Sequence, residues 1–207
     1  HSVLDIVTDD MPFLVDSVTQ AIYRHGLTIH HILHPLLGVE RDAAGALTKT
    51  SERGAAGSHT ESWIHIEFDR ISDPAQIDAL RQEVDAVLAD VRATVDDADP
   101  MRQRVQDAIA SLQGTSDQVE IGEFLKWVAD GNFVFLGYAH YTVAPGASEL
   151  KRAAEGGYGL LRRKDHPRFG GCLADIPGDV ATLDALPTPL TLIKADGRST
   201  VHRPGYL

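Results

Sequence analysis

Glu61-Ser62-Trp63-Ile64-His65-Ile66-Glu67-Phe68-Asp69 alternates cleanly. In an extended chain Ile64, Ile66 and Phe68 share one face, and Trp63, His65 and Glu67 share the other. That is the pattern of a half-buried strand. Asp73-Pro74 follows as an N-cap and a first helical residue. Ile77, Leu80, Val84, Val87, Leu88, Val91 and Val95 then recur at helical spacing and predict a long amphipathic helix. Upstream, Val3 to Thr8 reads as a short strand, and Asp9-Asp10-Met11-Pro12 punctuates. The two aspartates read as caps of a helix that opens near Pro12, carries Leu14, Val18 and Ile22, and ends at Gly26. Leu27 to Glu40 reads as one long strand bent or broken at Pro35, and Arg41 to Thr60 as turn-like chain with Asp42, Gly45, Gly54 and Gly57. Strand, helix, strand, strand, helix is the opening of a ferredoxin-like unit. No fourth strand is evident directly after the long helix.

Asp96-Asp97-Ala98-Asp99-Pro100 breaks that helix. A second helix is expected from Pro100 to Leu112, a break at Gly114-Thr115-Ser116-Asp117, and a third helix from Val119 to Asp130. Phe133 to Val143, Tyr158 to Arg163, Leu190 to Lys194 and Thr200 to His202 read as strands. The whole is α+β: residues 1–96 as one domain, 97–116 as a helical connector, and 117–207 as the start of a second, mostly antiparallel α+β domain that is truncated. Both ends read as cut, so a longer parent protein is expected.

The 207 residues carry 19 Lys+Arg against 30 Asp+Glu, a net charge of −11. That balance argues against binding nucleic acid or an anionic membrane, and no apolar run approaches a membrane span. Cys172 is the single cysteine, which excludes a disulfide scaffold and a cysteine-based zinc site. Residues 73–107 hold nine acids, and residues 151–170 hold six bases. Each run reads first as a solvated face.

Chemistry-bearing motifs are sparse. Gly156-Gly157-Tyr158-Gly159 does not make a dinucleotide fingerprint, and neither a phosphate loop, GxSxG nor HExxH occurs. No catalytic residue and no cofactor is therefore expected in this chain. Ten histidines stand out. With period two, His30 and His34 share a face, and His65 and Glu67 on the next strand complete a patch of zinc-ligand types. A sheet face covered by another domain or subunit is the favoured reading, with no metal. His30, Ile32, Trp63 and His65 form that expected interface, too apolar for a solvated face and too polar for a core.

Several stretches resemble a known family. They are Thr8-Asp9-Asp10-Met11-Pro12-Phe13-Leu14-Val15-Asp16-Ser17-Val18, His34-Pro35 with Val39-Glu40-Arg41-Asp42, and Glu61-Ser62-Trp63-Ile64-His65-Ile66-Glu67. Further on come Phe124-Leu125-Lys126-Trp127, Asn132-Phe133-Val134-Phe135-Leu136-Gly137-Tyr138, and Arg198-Ser199-Thr200-Val201-His202-Arg203-Pro204. In this order they resemble the N-terminal region of the large bacterial NAD-specific glutamate dehydrogenases. The resemblance implies a long cytoplasmic parent, a homo-oligomer that deaminates glutamate oxidatively to 2-oxoglutarate with NAD. It also implies a regulatory N-terminal part with an ACT-like domain at 1–96 and a PAS-like region from about 117, its partners being other domains of the same polypeptide. ACT domains carry an Asp-x-Pro-Gly-Leu turn after the first strand. Here Asp10-Met11-Pro12-Phe13-Leu14 keeps all but the glycine. The resemblance thus makes Asp9, Asp10, Pro12 and Phe13 the candidate ligand-binding residues, and bulky Phe13 shifts the balance toward a structural or interface role. The alternative function is a free-standing amino-acid sensor.

Overall fold

The computed structural model describes residues 1–112, 118–143, 150–162, 192 and 199–201. The chain divides into two compact units, residues 1–92 with 200–207, and residues 93–199.

The first unit runs β1 (Ser2–Asp9), α1 (Leu14–Arg24), β2 (Ile29–Leu33), β3 (Leu36–Arg41), β4 (Leu47–Ser51), β5 (His59–Phe68) and α2 (Pro74–Asp96). Its sheet is antiparallel, in the order β1-β5-β3-β4. β5 is long enough to pair with β1 along one edge and with both β2 and β3, end to end, along the other. The break at His34-Pro35 divides β2 from β3 because proline carries no N–H for a ladder. The alternation in β5 holds: Ile64, Ile66 and Phe68 are buried together with Ile6 of β1. Leu14, Val18, Ala21 and Ile22 of α1, and Leu80, Val84, Val87 and Val91 of α2, are buried as well. Each of these Val, Leu, Ile and Phe side chains contributes about 1.5–3 kcal/mol on leaving water.

Three expectations need correction here. The 41–60 stretch is not merely turn-like, because it holds β4, which closes a hairpin on β3. Its turn is built by Asp42, whose Oδ1 accepts the amides of Ala44 and Ala46, both at 2.9 Å. Gly38 of β3 sits where an added Cβ would meet Glu52 O and Ser51 Oγ at 2.5 Å, so glycine is required. Second, Asp9 and Asp10 do not cap α1. β1 runs through Asp9, the helix opens at Leu14, and its N-cap is Phe13, with no side-chain cap hydrogen bond. Third, a bulge in β2 between Ile29 and His31 shifts the side-chain alternation by one residue.

The second unit contains α3 (Ala98–Ser111), α4 (Gln118–Trp127), and the hairpin β6 (Gly137–Val143) and β7 (Leu150–Gly159). α4 runs on into a wider turn over Val128–Asn132, which the chain leaves at Gly131, φ 93°. Val105, Leu125 and Ala129 form its core with Ile109, Leu112 and Phe135 packed against them. The strand expected from Tyr158 to Arg163 instead ends at Gly159 and turns over residues 160–162. Thr200 and Val201 are not in a strand. His202 and, apart from Leu192, the expected strand at 190–194 lie outside the described residues, as does Cys172. Asp97 ties this unit together. Its carboxylate accepts the Gly159 amide at 2.7 Å and two Arg162 nitrogens at 2.7 and 3.1 Å. Burial pushes that carboxyl up, but the Arg162 and Gly159 hydrogen bonds outweigh it and hold it below its ordinary range.

Candidate interface on the sheet face opposite the core

Residues directly opposite each other in antiparallel strands share a face. The register therefore places Val3, Asp5, Val7 and Asp9 of β1 beside Glu67, His65, Trp63 and Glu61 of β5, all on the side away from Ile64 and Ile66. Across the other edge of β5, His31 opposes Glu67 and Leu33 opposes His65. The expected interface is corrected in part. Trp63 and His65 do lie on this face, but Ile32 opposes Ile66 and belongs to the core side. His30 is the extra residue of the bulge. The slip at 29–31 is what exchanges Ile32 for Leu33, and sequence alternation alone carries no sign of it. Val3, Val7 and Leu33 are 53%, 50% and 51% exposed. These exposed apolar side chains make this face a candidate surface for a partner.

Several polar groups on and beside this face are paired with one another. Glu61, 4% exposed, accepts two parallel hydrogen bonds from Arg41, at 2.7 and 2.9 Å, and one from Trp63 Nε1 at 3.0 Å. His59 Nε2 lies 3.1 Å from the same carboxylate. The Arg41 bonds above all, with help from Trp63 and His59, override burial and hold the Glu61 carboxyl at about 2. His65 Nδ1 lies 2.7 Å from Asp5, and its Nε2 lies 3.6 Å from Glu67. The Asp5 hydrogen bond chiefly raises the imidazole above its ordinary value. Asp9 pairs with Arg92 at 2.9 Å.

The histidine patch that the spacing allows does not assemble. His30 turns to Asp69 at 2.8 Å, His34 to Ser62 at 3.1 Å, and His65 to Asp5. Among the described residues no group of three or more His, Cys, Asp or Glu could hold a metal ion.

Ser62, His34 and Asp10 bring the residue types of a hydrolytic triad into one row. Ser62 Oγ donates to Asp10 at 2.9 Å and lies beside His34 Nε2. The wiring is wrong for nucleophilic catalysis. The carboxylate meets the serine rather than orienting the histidine, and Ser62 is wholly buried. The row is a structural brace between the end of β1 and β5.

The candidate ligand residues lie at the turn after β1. The Asp10 amide donates to Thr60 O at 3.0 Å, and its carboxylate also meets Arg53 at 3.5 Å. Pro12 is exposed. Phe13 stands at φ 74°, the one non-glycine residue at positive φ among those described. The left-handed conformation is thus kept although the glycine that adopts it readily is absent.

Residues 1–84 match the family model described as "Glutamate dehydrogenase, ACT1 domain". Over all of its length the chain is 34% identical to the NAD-specific glutamate dehydrogenase of Halomonas elongata and 31% identical to that of Pseudomonas aeruginosa. It is 28% identical, over 80% of its length, to the NAD-specific glutamate dehydrogenase of Mycobacterium tuberculosis. It spans 14%, 13% and 11% of those three proteins.

Proposed function

We propose that this chain, whose residues 1–84 belong to the glutamate dehydrogenase ACT1-domain family, is a non-catalytic regulatory and assembly segment of an NAD-specific glutamate dehydrogenase. The parent reaction is oxidative deamination of glutamate to 2-oxoglutarate and ammonia, in the cytoplasm, with NAD bound elsewhere in the polypeptide. The ACT-like domain lies within residues 1–96, and α3, whose Val105 packs with Leu125 and Ala129, goes with the second domain that follows it.

One observation carries this reading. The face opposite the core sets Val3, Val7, Leu33 and Trp63 beside charges already matched to one another. Apolar surface studded with matched pairs suits a contact between domains or subunits. The turn at Asp10, Pro12 and Phe13 supports the same reading. Asp10 is engaged by Ser62 and Arg53, and a phenyl ring stands where the family's glycine lets a ligand approach.

The test is direct. Residues 1–207 alone form no NADH from glutamate and NAD, while the full-length protein does. Glutamate-dependent NADH formation by the isolated chain would overturn the reading.

A further inference from the structure

His65 stands near the middle of the open sheet face. Asp5 of β1 lies directly opposite it on one side and Leu33 of β2 on the other. Trp63 and Glu67 flank it along β5, and Val3 and Val7 stand diagonally across, opposite Glu67 and Trp63. Both of its ring nitrogens meet carboxylates. Nδ1 lies 2.7 Å from Asp5, and Nε2 lies 3.6 Å from Glu67. A neutral imidazole has one N–H, and its other nitrogen is a lone-pair acceptor that a carboxylate repels. The arrangement therefore suits the doubly protonated ring, which donates to one acid and balances the charge of the second.

Among the described residues, His65 is the one ion-pair partner of Asp5 and of Glu67. The other charged groups of the face are engaged elsewhere: Glu61 by Arg41 and His59, and Asp9 by Arg92. His31 of β2 stands opposite Glu67 and makes no ion pair with it among the described residues. The Asp5–His65–Glu67 row thus carries one net negative charge with the imidazole protonated and two without it. On an open surface water screens either state, and the Asp5 side chain is 69% exposed. Under a partner the water leaves, and an acid without its cation then opposes the contact far more strongly. The Asp5 hydrogen bond first, with help from Glu67, holds the imidazole above its ordinary value against desolvation. The proton is therefore lost only as pH rises through that raised value.

We propose that the proton on His65 governs whether this sheet face is covered: with it the Asp5–His65–Glu67 row is matched and the face docks, and without it the row carries an unmatched acid and the face is released. The inference rests on the reading of this face as an interface within the parent protein, and adds its regulation. By linkage, covering the face takes up a proton at His65, so the contact weakens as pH rises.

In the full-length protein, hydroxyl-radical oxidation of Val7 and Leu33, read by mass spectrometry against the urea-unfolded protein, reports whether the face is covered. Both side chains should be protected at about pH 6, below the ordinary 6.5 of histidine. Both should be oxidised at least about fivefold faster at about pH 9. His65→Gln carries no charge at any pH and should show the fast rate at both. Glu67→Gln leaves one carboxylate, which the single N–H of a neutral imidazole satisfies, so this variant should stay protected at about pH 9. Protection that is retained in this way cannot come from a damaged fold. Slow oxidation of the unsubstituted protein at both pH values would overturn the switch and leave the interface standing. Fast oxidation at both would overturn switch and interface together. A His65→Gln protein that still opens only at high pH, or a Glu67→Gln protein that opens there like the unsubstituted one, would also overturn the proposal.

Discussion

A single carboxylate shows how tightly this face is matched. Glu61 is closed in by Arg41, Trp63 and His59, and its carboxyl is held at about 2 against an ordinary 4.5. A depressed acid lends stability that is whole above its unfolded value and is lost as pH falls through its folded one. Glu61→Gln should therefore cost about 2 kcal/mol at pH 7 by leaving the Arg41 guanidinium with a neutral partner. The gap between variant and parent should close as pH drops from 4.5 toward 2. Denaturant melts of residues 1–207 across that range check this. A gap that stays constant to pH 2 would mean that Glu61 is not ionised in the fold. The sequence displayed Glu61 only as the first letter of a strand. Its partner Arg41 lies 20 residues away across a hairpin that was not foreseen, so the pair was invisible until β3, β4 and β5 were aligned.

At the level of elements, the long signals were legible and the one-residue events were not. β5, α1 and α2 were readable because alternation over ten residues and helical spacing over 23 average out local exceptions. The bulge at 29–31 is one residue, and it reverses which side chains of β2 reach the open face. The turn from β1 into α1 is a second case. Two aspartates before a proline read as caps, but β1 keeps Asp9, Ser62 takes Asp10, and the helix starts behind a left-handed Phe13. That conformation costs a non-glycine residue about 1–2 kcal/mol. Among small replacements the usual order should therefore invert. Phe13→Gly should be more stable than Phe13→Ala by about 1 kcal/mol. Equilibrium unfolding of the two variants decides it. An alanine variant that is the more stable would mean that the turn changes conformation when the phenyl ring is removed.

Across the whole molecule, a helix-covered sheet with an apolar row on its other face is a half-finished arrangement. Sequence reading proposed a covered face through Trp63 and His65, and the register sets these two residues on one face. It missed Val3, Val7 and Leu33, the most exposed apolar residues there, because their position depends on pairing rather than on local pattern. The chain spans only 14% and 13% of the two relatives that it matches over its whole length, so most of each relative lies outside the matched stretch. Trp63→Glu would disturb both this surface and the Glu61 cluster, since Trp63 donates to Glu61. Val7 stands opposite Trp63 and is half exposed, so a charge there tests the surface alone. The deciding measurement is the sedimentation mass of the full-length protein with Val7→Arg, read beside the melting temperature of residues 1–207 with the same change. The account predicts dissociation at a protein concentration at least tenfold higher than for the unsubstituted protein, with the melting temperature of 1–207 moved by no more than a few degrees. An unchanged assembly, with the loss falling on the stability of residues 1–207 instead, would contradict it.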